Sequence, residues 1–255
     1  MQRRLHPRTS RPKPLLLALL ILGLVLWAAG PSAAQPTLGT CNIGNGFGST
    51  LLFPYFEVDS ADPGGLSTLL SINNGFNNAT LVRAVLWTDW GVPTLAFDIY
   101  LDGFDLVTIN MRDLFNGVVP STGESADLSV FEGCADAPPF HSNPVLNTTQ
   151  QEQLNDDHQG IEGPIFPTCV GQAYGDGISR GYLTVDVVDE CNGVEANAAG
   201  VTPASASYFV DGGEVGGVAI INNRLWGDVI YVDPNNASAQ GSEAVAVWAD
   251  SEEFA

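Results

Sequence analysis

Across residues 66–115 the chain alternates short runs of Leu, Val, Ile, Thr and aromatic residues with Asn-Asn-Gly, Asn-Asn, Gly-Val-Pro and Asp-Gly. Each break has a physical reason to turn: Gly tolerates positive φ, Asn bonds its own backbone, and Pro fixes φ. Four consecutive strands with this spacing are what a small antiparallel sandwich needs. The expected fold is therefore all-β, an Ig-like antiparallel β-sandwich with one short helix and room for a second small β subdomain after Ile178.

The flanking runs extend the pattern. Residues 50–58 read as a strand in which Pro54 removes a ladder donor, which calls for an edge position or a bulge. Residues 79–88 are apolar on both faces apart from Arg83, which places them near a sheet centre. In residues 94–101, Leu95, Phe97, Ile99 and Leu101 alternate with Thr94, Ala96, Asp98 and Tyr100, predicting one core face and one solvent face. Residues 104–110 should follow in a hairpin across Asp102-Gly103, and 111–115 form a helical turn. Further strands are expected at 181–189, 217–222, 227–233 and 243–249, the last two as a hairpin. The chain stops directly after a strand, which suggests a truncated frame or a missing final strand.

Residues 116–178 are richer in Pro, Gly, Ser, Asn and acids and lack periodicity. Two features organise them. Asn147, with Gln150 three residues on, caps an expected helix over 148–157. Cys134 and Cys169 bracket the excursion, and pairing them leaves Cys41 with Cys191, although four cysteines permit three connectivities. The expected division is a signal peptide at 1–34, a β-sandwich core at 35–115, a stapled excursion at 116–178, and C-terminal strands at 179–255 that complete the sandwich or form the subdomain.

The signal reading rests on Arg3, Arg4, Arg8, Arg11 and Lys13, the apolar run 15–28, and Pro31-Ser32-Ala33-Ala34 before Gln35. Export to the periplasm or the exterior puts the cysteines in an oxidising compartment, where two disulfides are the default. No later run has the roughly 20 apolar residues of a membrane span. Cleavage removes five of the nine basic residues and none of the 29 acids, leaving four arginines and a net charge of −25. Such a surface repels nucleic acid and anionic lipid. Each of Arg83, Arg112, Arg180 and Arg224 is expected to be held by a carboxylate, because an unpaired buried guanidinium is costly.

The strings YFEVD, LWTDWGVP, INMRDLF, SRGYLTVDVV and LWGDVIYVDP, taken together and in this order, resemble a family of uncharacterised secreted bacterial proteins. The resemblance spans most of the chain after the signal segment. It implies export, an all-β fold and a family length beyond Ala255, and it brings no activity, ligand or active site with it.

Catalytic signatures do not stand out. There is no G-x-S-x-G elbow and no H-E-x-x-H. His141 and His158 read as loop residues. The most site-like carboxylate is Asp89 between Trp87 and Trp90, where flanking indoles could bind a sugar face; its plainer reading is a turn before Gly91-Val92-Pro93. Residues 155–160 look like a calcium loop, but the twelfth position falls on Phe166 rather than an acid. Asp59 and Asp62, and Asp98, Asp102 and Asp105, remain weak calcium candidates, with solvated turns as the plainer reading; no other cofactor is implied. The expected function is an exported, non-catalytic envelope or extracellular module that binds an envelope component or a glycan. The alternative is a secreted, carboxylate-dependent, glycan-directed hydrolase with its site near Trp87, Asp89 and Trp90.

Overall fold

Alternation of large apolar side chains with small or polar ones shapes the chain into two antiparallel sheets packed face to face. The computed structural model describes residues 42–44, 46–120, 146–160, 175–189, 194–196, 202–204, 208 and 218–248, all within the unit Gly39–Ala255. Residues 1–34, His141, and Cys41, Cys134, Cys169 and Cys191 with their expected disulfides lie outside the described residues.

The elements are β1 (Asn42–Gly44), β2 (Thr50–Val58), β3 (Ser67–Asn74), β4 (Thr80–Thr88), β5 (Pro93–Leu101), β6 (Leu106–Asn110), α1 (Met111–Phe115), α2 (Thr148–Gln159), β7 (Ser179–Val188), β8 (Val194–Ala196), β9 (Leu225–Asp233), β10 (Ser238–Glu243) and β11 (Val245–Trp248). One sheet runs β1-β11-β2-β7-β4-β5-β8 and the other β10-β9-β3-β6. The all-β sandwich with a short helix is thus what the chain forms, and the strands after Ile178 enter both sheets. No helix among the described residues is long and apolar enough to cross a membrane.

The core fills the space between the sheets. Phe53 and Phe56 of β2, Ile72 of β3, Leu86 of β4, Phe97 of β5 and Val185 of β7 all lose their solvent there. Each such side chain contributes roughly 1.5–3 kcal/mol. Helices α1 and α2 close one end of this layer with Met111, Leu114, Phe115 and Leu154.

Pro54 produces a bulge rather than an edge: β2 lies between β11 and β7, and its register with β7 shifts between Phe53 and Phe56. The Asp102-Gly103 hairpin does not form. Phe104 at φ 59° donates its N–H to Phe76 O at 2.8 Å, and Asn74 N bonds Asp105 O at 3.0 Å. These bonds pin the turn onto the β3–β4 connection, so β6 leaves the sheet of β5 and pairs with β3. The hairpin after β9 is made with β10 instead, through a turn in which Asn236 N bonds Asp233 Oδ1, while β11 crosses to the other sheet. Residues 217–222 contribute only an isolated bridge, Val188 to Ala219, among the described residues.

The expected solvent face of residues 94–101 is buried as well. Across the outward side of the larger sheet, Thr50, Asp186, Arg83 and Asp98 fall in one register row on β2, β7, β4 and β5. Arg83 Nε meets Asp98 Oδ1 at 2.8 Å and Nη2 meets Oδ2 at 3.3 Å. Asp186 accepts bonds from Thr50 Oγ1 and, at 2.8 Å, from the buried Tyr208 hydroxyl. Burial pushes the Asp186 carboxyl up, against the pull of those two bonds and of the Arg83 charge. A four-residue polar row can be taken out of water here because its members satisfy one another.

Candidate functional site: a cleft at the end of helix α2

Helix α2 begins as its sequence predicts. Asn147 accepts from Gln150 N at 3.0 Å, and the Gln150 side chain accepts from Asn147 N at 3.0 Å. The helix runs two residues past the expected end and stops at Gly160, whose φ of 67° suits a residue without Cβ. His158 is therefore on the last helical turn and not in a loop.

Leu154 and His158 are four residues apart and share the inward face. The His158 ring packs edge-on to Phe115 and tilted against Phe56. Its Nδ1 lies 2.8 Å from Arg180 O, an acceptor only, so Nδ1 carries the proton. Nε2, 2.7 Å from Thr94 Oγ1, then accepts the threonine proton. Burial lowers the imidazole to about 4, the bond to Arg180 O pulling the other way. The ring is neutral at ordinary pH and its two nitrogens are occupied in joining α2 to β5 and β7.

Asp157 is only 3% exposed, and its Oδ1 meets no hydrogen-bond donor among the described residues. Burial, and then the neighbouring Asp156 charge, push its carboxyl up to about 6. A carboxylate at a helix C-terminus also opposes the helix dipole. Three unfavourable circumstances thus meet in one side chain.

Opposite α2 stands the β4–β5 turn. Thr88 Oγ1 accepts from Trp90 N and Val92 N at 3.3 and 3.2 Å, and Gly91 closes the turn at φ 75°. This geometry carries Asp89 and Trp90 outward, with the indole 71% exposed. The third wall is the entry to β7, where Arg180 donates to both oxygens of Asp176 at 2.8 and 2.9 Å. That contact, a backbone bond from Ile178 after it, takes Asp176 down to about 2. Asp89, Trp90, Asp157, His158, Gly160, Gly175, Ile178 and Arg180 together line a cleft of about 120 Å³.

The cleft gathers only part of what the sequence singled out. Trp87 faces away from it, stacked on Tyr182 at 5.8 Å with its Nε1 bonded to Thr184, so it forms no sandwich with Trp90 around Asp89. Asp98 lies in the middle of β5, tied to Arg83, about 13 Å of strand from Asp102. Asp102 Oδ1 accepts from Gly103 N, and Asp105 Oδ1 from Leu106 N. Asp59 Oδ1 accepts from Ala61 N and Asp62 N, and Asp62 Oδ1 from Gly64 N. The carbonyls of Asp59, Pro63, Gly65 and Leu66 in that loop converge on the guanidinium of Arg112, which takes the central place a bound cation would need. No three acid, histidine or cysteine side chains gather into a metal-holding group among the described residues.

The arginines divide in the same way. Arg83 and Arg180 have carboxylate partners. Among the described residues Arg112 is held by backbone carbonyls alone, and Arg224 by Ala79 O at 3.2 Å and the Phe76 ring, its buried Nε meeting no acceptor there. Carbonyl oxygens at loop ends offer the same partial charge without a second desolvated ion.

Sequence reasoning read His158 as a loop residue and Asp157 as part of a calcium-like stretch, and missed their inward place on the last turn of α2. The signal was available in the three- and four-residue spacing from Leu154, which puts both on the helix face that packs inward. The chain matches no family model, no curated protein and no solved structure.

Proposed function

We propose that the protein is an exported, non-catalytic binding module of the cell envelope or exterior that engages a glycan at the α2 cleft. The observation that carries this reading is Asp157 Oδ1, a buried acceptor with no donor among the described residues, in a cleft walled by the exposed Trp90 indole. A sugar offers both complements at once: hydroxyls that donate to a carboxylate, and an apolar ring face that stacks on an aromatic side chain. Asp89 at the rim supplies a second acceptor, and Arg180, fixed by Asp176, a guanidinium edge. Export rests on the charge, apolar run and small-residue order of residues 1–34, and the strong acidity disfavours nucleic acid as a partner.

A second reading has its own observation. The Asp157 carboxyl, pushed up to about 6, has the character of a proton donor, and Asp89 lines the same cleft. A glycan hydrolase works with two carboxylates, one of them a proton donor, and these two acids are of that kind. Pull-down on immobilised cell-wall and polysaccharide glycans tests both. Retention by wild type that is lost in Trp90→Ala and Asp157→Asn supports binding. Release of reducing ends, abolished by Asp89→Asn, replaces it with hydrolysis. Absence of retention on every glycan removes both.

A further inference from the structure

The outward face of the four-stranded sheet carries apolar groups that its register arranges in rows. Glu243 on β10 stands directly opposite Asp228 on β9, which stands opposite Ser71 on β3. Two residues to either side along β9 are Trp226 and Ile230, each 43% exposed, and Leu69 opposite Ile230 is 37% exposed. Two like charges directly opposite on one sheet face repel. Asp228 accepts a long bond from Ser71 Oγ at 3.4 Å, and neither acid has an ion-pair partner among the described residues. The arginines that could have answered them are committed elsewhere: Arg83 to Asp98, Arg112 to the 59–66 loop, Arg180 to Asp176 and Arg224 to Ala79 and Phe76. At the end of this row, Trp226, Phe47 and Glu243, together with Gly227 and Ala246 but not Asp228, line a hollow of about 210 Å³.

We propose that this face docks a basic segment of a partner protein, seating an arginine or lysine head group against Asp228 and Glu243 with its stem along the Trp226 indole. An exposed indole two residues along the strand from Asp228 suits an organic cation, which gains ion pairing from the carboxylates and cation–π attraction from the ring face in one place. A second copy of this chain is the wrong occupant, because the formal charge of −20 makes the two surfaces repel. A free amine would fill the hollow but leave Ile230 and Leu69 uncovered, whereas an extended segment with alternate residues facing the sheet covers them with its apolar positions. This site lies on a different sheet from the glycan cleft and stands independently of it.

The test is titration of the intact protein with acetyl-Leu-Ser-Arg-Ser-Leu-amide, whose first, third and fifth side chains share one face in extended form. The controls are the same peptide with citrulline for arginine, and acetyl-arginine-amide alone. Binding followed by calorimetry is expected for the arginine peptide, at least about tenfold weaker for the citrulline peptide, and about tenfold weaker for Asp228→Asn/Glu243→Gln and for Trp226→Ala. These surface changes are checked for unaltered circular dichroism. Equal binding of the citrulline peptide, equal binding by the variants, or no binding of the arginine peptide at millimolar concentration overturns the proposal. So does acetyl-arginine-amide binding as tightly as the pentapeptide, which would make the hollow a small-cation site.

Discussion

Arg83 and Asp98 stand directly opposite each other on β4 and β5, guanidinium to carboxylate at 2.8 Å, with neither side chain exposed to water beyond a trace. Replacing Arg83 by Ala or Asp98 by Asn takes from the other, still buried, charge its 2.8 Å ion-pair partner. Each is expected to lower unfolding free energy by about 3–5 kcal/mol in urea titration. Asp186, in the same row, has its carboxyl pushed up by burial and accepts from two neutral hydroxyls, so Asn there is expected to cost less, under about 2 kcal/mol. Equal losses at Asp98 and Asp186 would show that both acids are ionised partners of Arg83.

Asp157 and His158 are expected to oppose each other in the pH dependence of stability. His158 falls from 6.5 to about 4 on folding, so between those values the unfolded chain binds the extra proton and stability rises with pH, by at most about 3 kcal/mol. Asp157 rises from 3.8 to about 6, so across that window the folded chain holds the extra proton and stability falls with pH. Wild type should therefore be nearly flat between pH 4 and 6 as far as these two are concerned. Asp157→Asn should expose a stability that climbs through the same range, read from denaturant midpoints at each pH.

At neutral pH, Asp157→Asn is expected to stabilise the protein while removing glycan retention. An amide avoids the buried charge and the unfavourable end of the helix dipole, a gain of about 1 kcal/mol or roughly 2–4 °C in melting temperature. A lower melting temperature would mean that the carboxylate has a donor in the native state.

Arg112 organises the loop between β2 and β3 through its bonds to backbone carbonyls. Arg112→Ala should cost about 2–4 kcal/mol, since several buried or half-buried carbonyls lose a charged donor together. Calcium should raise the wild-type melting temperature no more than sodium chloride of matched ionic strength. A calcium-specific rise would assign an ion to the acidic turns, Asp102 and Asp105 included.

Glu243→Gln removes one of two like charges facing each other across β9 and β10. A gain of roughly 0.2–1 kcal/mol is expected in urea titration, and a loss would show that Glu243 has a favourable partner.

The sandwich was legible because β-branched and aromatic runs broken by Asn, Gly and Pro leave little else to build. Pairing was not. β10 reads Ser-Ala-Gln-Gly-Ser-Glu, with no large apolar side chain, since an exposed edge strand owes its conformation to its neighbour rather than to its own pattern. The Asp102-Gly103 turn carries a hairpin's residues, but tertiary bonds from Phe76 and Asn74 redirect it. Asp98 occupies the polar place of an alternating strand, and only its row-mate Arg83 discloses that this face is buried too. At the cleft, Asp89 and Trp90 could be singled out locally, whereas their meeting with Asp157 depends on how α2 lands at the end of the sandwich.

The central place of β7 governs how this chain can fold. Strands β2 and β4 touch only through β7, so Thr50 finds Asp186 at a separation of 136 residues. Likewise β3 pairs with β9, and neither β2 nor β3 has its full set of neighbours until the last third of the chain arrives. Closing such long loops before any pairing is rewarded makes for slow, late condensation, on the millisecond-to-second side of the known range. Until β7 and β9 arrive, only β3 with β6 and β4 with β5 can pair among the described strands, so β2 waits without a neighbour and each half-built sheet presents an unmatched edge.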